Sequence, residues 1–167
     1  GAADIHRLQG ERRRARSAYT AWLKWAERQR LFESAISAHL RLALLALAEE
    51  QLDVAYEETS QAARYLEKVP GHWLWAQYRL LVSTMLALRS DQENTYRWLY
   101  SSMELGLGDT VEHDNAWLLT VICHVALREG WANTMRVAGR LAVDQWKKLG
   151  QPEEVERITA MAREALH

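Results

Sequence analysis

The chain contains one cysteine, two prolines and one phenylalanine in 167 residues. A single cysteine excludes a disulfide within the chain and favours a reducing compartment. The sequence has no apolar run near the roughly 20 residues that a membrane-spanning helix requires, and it shows no signal peptide. We therefore expect a soluble, cytoplasmic protein that does not enter a membrane, either as a whole protein or as a segment of a larger one.

Glycine and proline are too scarce to interrupt the chain often. Eight glycines and two prolines accompany many alanine, leucine, glutamate and arginine residues, and this composition is typical of α-helices. Because 49% of the residues are hydrophobic, the chain has enough apolar surface to build one packed domain. The composition therefore predicts an all-α fold in a single domain over residues 1–167.

Positive charge is concentrated near the start, although the net charge is only -1. The run Arg12–Arg16 is followed by Tyr19 and Trp22. Basic residues beside aromatic ones occur in segments that bind nucleic acid. Here, however, the two aromatic residues share a helical stripe with Ala15 and Ala26, which indicates packing in a core. We therefore expect no nucleic-acid binding through this domain.

Large and small apolar residues recur along the chain every forty positions. A large apolar residue stands at each of Leu42, Val82 and Ile122, and a small one follows at each of Ala43, Ser83 and Cys123. Small residues recur again at Ala62, Ser102 and Ala142. Two helices approach closely only where a small side chain leaves room for its neighbour. Since one such hairpin cannot bury its own apolar face, the pattern predicts stacked helical hairpins.

The pattern resembles the tetratricopeptide repeat (TPR) class. In that class the first helix of a hairpin carries a large apolar residue before a small one, as in Leu42-Ala43. The second helix carries a small, a bulky and a small residue, which Ala55-Thr59-Ala62 follows loosely. The unit here exceeds the family's 34 or so residues, and longer units are similar to those in sensor arms of large bacterial transcription regulators. The resemblance implies an α-solenoid of about eight helices, a right-handed superhelix of antiparallel hairpins.

Turn residues and apolar periodicity together give the helix boundaries. We predict a first helix over 5–30, hairpins over 32–69, 72–108 and 112–149, and a capping helix over 152–166. Ser90 and Glu93 have the spacing of a capping box at the start of a helix. The capping helix is expected to bury the apolar residues Val155, Ile158, Ala162 and Leu166.

Residues with catalytic or metal-binding chemistry do not form a recognisable motif. None of the six histidines lies four residues from another, so a helical zinc pair is excluded. Cys123 and His124 are adjacent and point about 100° apart on a helix. Cys123 also occupies a small-residue packing position, which indicates a core residue. We expect no enzymatic activity, no metal and no cofactor.

A binding surface follows from the family resemblance. In TPR proteins the first helices of the hairpins line a concave groove, and the polar and aromatic positions implied for that groove are Gln77, Thr84, Trp117, Thr120, His124 and Arg128. A mostly apolar groove with few polar groups suits a peptide or a partner helix. We expect a protein-protein interaction module whose partner is a protein or peptide. Two alternatives stay open. One is an effector-sensing domain of a larger bacterial transcription or signalling regulator, which binds a small molecule. The other is an oligomerisation scaffold, which binds a second copy of the chain.

Overall fold

A computed structural model describes residues 11–167, and every regular element in this part of the chain is helical. The α-helices of residues 11–167 number eight: α1 Arg12–Arg28, α2 Phe32–Ala48, α3 Leu52–Leu66, α4 Leu74–Leu88, α5 Gln92–Glu104, α6 His113–Glu129, α7 Ala132–Lys148 and α8 Pro152–Leu166. A short 3-10 turn, Leu107–Asp109, separates α5 from α6. The all-α prediction is confirmed for these residues. Positions 5–10 of the predicted first helix lie outside them.

The chain divides into two compact units between Leu74 and Trp75, at the start of α4. In the first unit α2 packs against both α1 and α3. In the second unit α7 packs against α6 and α8, and in addition α5 contacts α7 and α6 contacts α8. Neighbouring helices thus form hairpins, and in the second unit alternate helices touch as well.

The turns inside the hairpins repeat in their backbone geometry. The residues Glu50, Ser90 and Gly130 all have positive φ angles, of 59°, 60° and 75°. The next N–H in each turn bonds back to a carbonyl five residues earlier, in the pairs Gln51 to Ala46, Asp91 to Leu86 and Trp131 to Ala126. This bond and the left-handed residue form a Schellman-type helix end. The forty-residue spacing seen in the side chains is therefore present in the backbone of the turns.

The start of α5 differs from its prediction by one residue. Ser90 is the left-handed turn residue, so its side chain does not cap the helix. Asp91 is the N-cap, and its Oδ1 accepts a hydrogen bond of 3.2 Å from the N–H of Asn94. The predicted capping box of Ser90 with Glu93 is wrong. The Schellman turn that ends α4 uses Ser90 as its left-handed residue, so the N-cap of α5 falls one residue later, at Asp91.

Small residues bring α4 and α5 together as predicted. Ser83 donates a hydrogen bond of 2.7 Å to the carbonyl of Thr95, and Ser102 donates one of 2.5 Å to the carbonyl of Ala76. Both serines are fully buried. A side chain that reaches the backbone of the next helix requires closely packed axes, which only small residues permit. The packing role predicted for these positions is confirmed.

The aromatic residues of the basic segment belong to the core of the first unit. Ala15 and Tyr19 of α1 form a buried cluster with Leu42 and Leu45 of α2, and Trp22 packs against it. The predicted core role of these aromatic residues is confirmed. Cys123 is also fully buried, as expected, and burial raises the pKa of its thiol to about 12. This thiol is therefore protonated near neutral pH.

The apolar face of α8 is rotated from the prediction. Ile158 is buried as expected, but Met161 is the second buried residue. Val155 and Ala162 are only half-buried, and Leu166 is 36% exposed. Because α8 packs against α6 as well as α7, its inward face is directed between two helices rather than toward one. The predicted burial of Val155, Ala162 and Leu166 is wrong.

Candidate functional site

One stripe along α6 carries accessible side chains on a helix that is mostly buried between its two ends. Trp117, Val121, His124 and Arg128 follow the spacing i, i+4, i+7 and i+11, which places them on one helical face. Trp117 and Val121 are half-buried, while His124 and Arg128 are exposed. Other faces of α6 are buried at Leu118, Leu119, Ile122, Cys123, Val125 and Ala126. We call these four accessible residues the α6 face.

Three of the six predicted binding residues lie on the α6 face. Trp117, His124 and Arg128 present their side chains there, whereas Thr120 is buried beside it. The Thr120 hydroxyl accepts a hydrogen bond of 2.9 Å from Nε1 of Trp146 and donates one of 2.8 Å to the carbonyl of Ala116. Thr120 therefore positions α7 behind the face.

The two predicted binding residues on α4 are enclosed in the protein. The hydroxyl of Thr84 donates a hydrogen bond of 2.9 Å to the carbonyl of Leu80. Gln77 donates from Nε2 to Oδ1 of Asn115 at 2.8 Å and to Oε2 of Glu112 at 3.0 Å. Both side chains are buried, and the structure does not bring them to the α6 face. Gln77 is 5% exposed and Thr84 is fully buried, so neither side chain presents much surface to a partner in this conformation.

Gln77 belongs to a buried polar network around the segment between α5 and α6. The amide of Gln145 is its centre, since Oε1 accepts from the N–H of Glu112 at 3.1 Å. Its Nε2 donates to the carbonyls of Thr110 at 2.9 Å and Leu107 at 3.3 Å. A non-helical segment has backbone groups that its own secondary structure does not pair. The network therefore fixes the start of α6 and the α6 face with it.

Two side chains of α8 influence His124 electrostatically. Burial lowers the pKa of His124 below its ordinary value of 6.5, the positive charge of Arg157 lowers it further, and Glu154 opposes the change. Arg157 and Glu154 are themselves paired at 2.5 Å. The imidazole is therefore neutral near pH 7 and offers one donor and one acceptor to a partner.

We predict that Arg157→Gln raises the pKa of His124 and that Glu154→Gln lowers it further. Protonation occurs at pH 6.5 in the unfolded chain but at lower pH in the folded one. His124 therefore lowers the stability of the fold as the pH falls through 6.5 toward the folded pKa. NMR titration of the imidazole, assigned with His124→Gln, measures the pKa. An unchanged pKa in both variants would mean that solvent screens these exposed charges completely.

Sequence reasoning did not identify every residue of this surface. Val121 lies between Trp117 and His124 and extends their apolar part, and its position at i+4 from Trp117 is a signal readable from the sequence. Glu154 and Arg157 come from α8, which the sequence analysis treated as a cap. Arg128 pairs with the neighbouring Glu129 at 3.2 Å. The surface thus combines an apolar end with a mixed-charge end.

The first unit contains a small depression with aromatic walls. Phe32 and Tyr65 have ring centroids 5.8 Å apart, and Nζ of Lys68 lies 5.1 Å and 5.7 Å from their centroids. The hydroxyl of Tyr65 donates to Glu27 at 3.0 Å, and burial together with this carboxylate raises the Tyr65 pKa. The volume is about 280 Å³, at or below the lower limit usual for small-molecule sites. Lys68 already contacts both rings.

The described residues form neither a metal-binding cluster nor a membrane-spanning helix. Within 11–167, no group of three or more His, Cys, Asp or Glu side chains is placed to hold a metal ion. None of the described helices is both long enough and apolar enough to cross a membrane. Comparison of the chain with protein-family models, with curated proteins and with solved structures gave no match.

Proposed function

We propose that this chain is a protein-protein interaction module that binds a peptide or a helix of a partner protein through the α6 face. The observation that carries the proposal is the accessible stripe of Trp117, Val121, His124 and Arg128 on a helix whose middle is otherwise mostly buried. Tryptophan and arginine supply much of the binding energy at protein interfaces. Trp117, Val121 and His124 stand at i, i+4 and i+7, which is the spacing of the anchor residues in helix-mediated recognition.

Rigid support for this stripe favours the same function. Thr120, buried beside the stripe, bonds to Trp146, and Gln145 fixes the segment that leads into α6. A surface held in place by buried contacts loses little conformational entropy when a partner binds. The depression between Phe32 and Tyr65 is one place that a small effector would use, but Lys68 already lies over both of its rings, which makes this the weaker alternative.

The proposal includes a TPR-like stacking of the hairpins. Recurring turns at Glu50, Ser90 and Gly130 support it, as do the contacts between alternate helices of the second unit. In such a stack α4, α6 and α8 occupy equivalent positions as first helices of successive hairpins. Glu154 and Arg157 of α8 then border the same surface as the α6 face, which matches their influence on His124.

Selection from a random peptide library tests the function. The chain is immobilised, and peptides are retained if they bind the wild type but not the variant Arg128→Glu. We expect the retained peptides to lose about tenfold or more in affinity on His124→Ala and Val121→Glu, which corresponds to about 1.4 kcal/mol each. Arg97→Glu, an exposed arginine of α5, is the matched control and should leave the affinity unchanged.

NMR mapping decides where the selected peptides bind. The proposal requires shifts of the indole N–H of Trp117 and of the imidazole of His124 on titration. If no peptide passes the selection, or if peptides bind without perturbing these two residues, the α6 face is not the binding surface. Circular dichroism of each variant checks that the helices are retained.

A further inference from the structure

Two depressions are lined by residues of α7, of α8 and of the turn between them, and their volumes are about 340 Å³ and about 400 Å³. The first is lined by Met135, Arg136, Gly139, Arg140, Val143, Thr159, Ala162 and Leu166. The second is lined by Lys147, Gly150, Gln151, Pro152, Val155 and Glu156. We call the two together the α7–α8 groove.

The floor of the α7–α8 groove is apolar. Val143 of α7 and Val155, Ala162 and Leu166 of α8 line it and are all at least partly accessible to solvent. Three of these residues form the stripe that the sequence predicts to be buried. An apolar stripe with helical spacing that does not enter the core of the chain itself is characteristic of a surface for another helix.

Gly139 of α7 lies at the bottom of the first depression and is itself buried. A Cβ atom built there would lie 3.6 Å from Sδ of Met135 and 3.9 Å from Cβ of Ala162. Gly139 therefore belongs to the contact between α7 and α8, and the accessible part of the groove is formed by the residues around it.

Charge along the groove is mainly positive. Arg136, Arg140 and Lys147 stand on α7 at i, i+4 and i+11 and are all exposed. Arg136 donates to Oδ1 of Asn133 at 2.7 Å, so its guanidinium keeps further donors for a partner. Glu156 is the acidic residue among those that line the groove. An acidic partner is thus favoured by charge complementarity.

The repeat itself indicates that the occupant is a helix. Within the second unit α5 contacts α7 and α6 contacts α8. The helix α7 follows the pair α5–α6 and packs against both of its members. One repeat later, a helix that packed in the same way against α7 and α8 would lie in the α7–α8 groove.

We propose that the α7–α8 groove binds an acidic amphipathic helix of a partner protein. Its apolar face lies over Val143, Ala162 and Leu166, and its carboxylates lie against Arg136, Arg140 and Lys147. This surface is distinct from the α6 face, so the inference goes beyond the proposed function and does not depend on it.

A pair of synthetic peptides tests the groove. Both have the 17-residue length of α7, with leucine and alanine on one face. One carries glutamate on the other face and the second carries lysine. We expect the glutamate peptide to bind at least about tenfold more tightly than the lysine peptide at low salt, and this preference to decrease as salt screens the charges. The double variant Arg136→Glu with Arg140→Glu should reverse the preference.

Controls separate the groove from other surfaces. Lys148→Glu changes an exposed charge on another face of α7 and should leave the preference intact, as should Arg128→Glu on the α6 face. Ala162→Trp fills the groove and should abolish binding of the glutamate peptide.

Three results would overturn the inference. The first is equal binding of both peptides to the wild type. The second is a glutamate peptide that binds the double variant as tightly as it binds the wild type. The third is a wild-type dimer that Ala162→Trp dissociates in sedimentation, because the occupant would then be a second copy of the chain. Loss of library-peptide binding on Arg128→Glu bears only on the α6 face.

Discussion

Replacing Gln145 with leucine should lower the free energy of unfolding of the second unit by about 2 to 4 kcal/mol. The side chain is 1% exposed, and it donates to the carbonyls of Thr110 and Leu107 and accepts from the N–H of Glu112. Leucine fills a similar volume but offers no hydrogen bond. Each lost bond removes about 0.5 to 1.5 kcal/mol, and a buried group left without this partner costs more. Urea denaturation measures the change.

Hydrogen exchange of the backbone N–H groups identifies the segment whose stability depends on Gln145. We expect backbone N–H exchange to accelerate between Leu107 and Glu112 before it accelerates in the middle of α6, because the segment loses its side-chain partners first. Gln92→Leu, an exposed glutamine at the start of α5, is the matched control and should change stability by less than about 0.5 kcal/mol. A similarly small change for Gln145→Leu would mean that water replaces the amide fully.

The same network explains why Gln77, a predicted binding residue, is buried. The tetratricopeptide resemblance implies a groove position for Gln77, and glutamine is mostly a surface residue. The actual partners of Gln77 lie more than thirty residues away. Glu112 is the N-cap of α6 and Asn115 is in its first turn. Side-chain periodicity along one helix carries no information about such pairings. Trp117, His124 and Arg128 share one accessible face because they lie on the same helix at local spacing, and their role in binding stays a prediction.

Helix positions and close contacts were more predictable than helix rotation. Matched small residues such as Ser83 and Ser102 define where two helices meet, and this information is repeated along the chain. The rotation of α8 instead depends on simultaneous contact with α6 and α7, so the buried residue is Met161 rather than Ala162. That rotation exposes the stripe of Val155, Ala162 and Leu166 and forms the α7–α8 groove. The division of the chain at Leu74 and Trp75 has no counterpart in its composition.

Replacing Ser102 with leucine should destabilise the second unit by about 2 to 4 kcal/mol, whereas alanine at the same position should cost about 1 kcal/mol. Both variants remove the hydrogen bond of 2.5 Å from Ser102 to the carbonyl of Ala76. Only leucine adds volume at a fully buried position between α4 and α5, where the interior is already close-packed. Urea denaturation of the two variants therefore separates the stability lost with the hydrogen bond from the stability lost through overpacking.

The difference in free energy of unfolding between Ser102→Leu and Ser102→Ala tests why small residues recur along the chain. Ser60→Leu on α3, at an exposed position, is the control for the intrinsic effect of leucine on a helix and should change stability by less than about 0.5 kcal/mol. If Ser102→Leu costs no more than Ser102→Ala, the small residue does not set the distance between α4 and α5. The recurrence of small side chains at Ala62, Ser102 and Ala142 would then need another cause. A difference of 1 kcal/mol or more would instead show that close approach of paired helices is what this periodicity encodes.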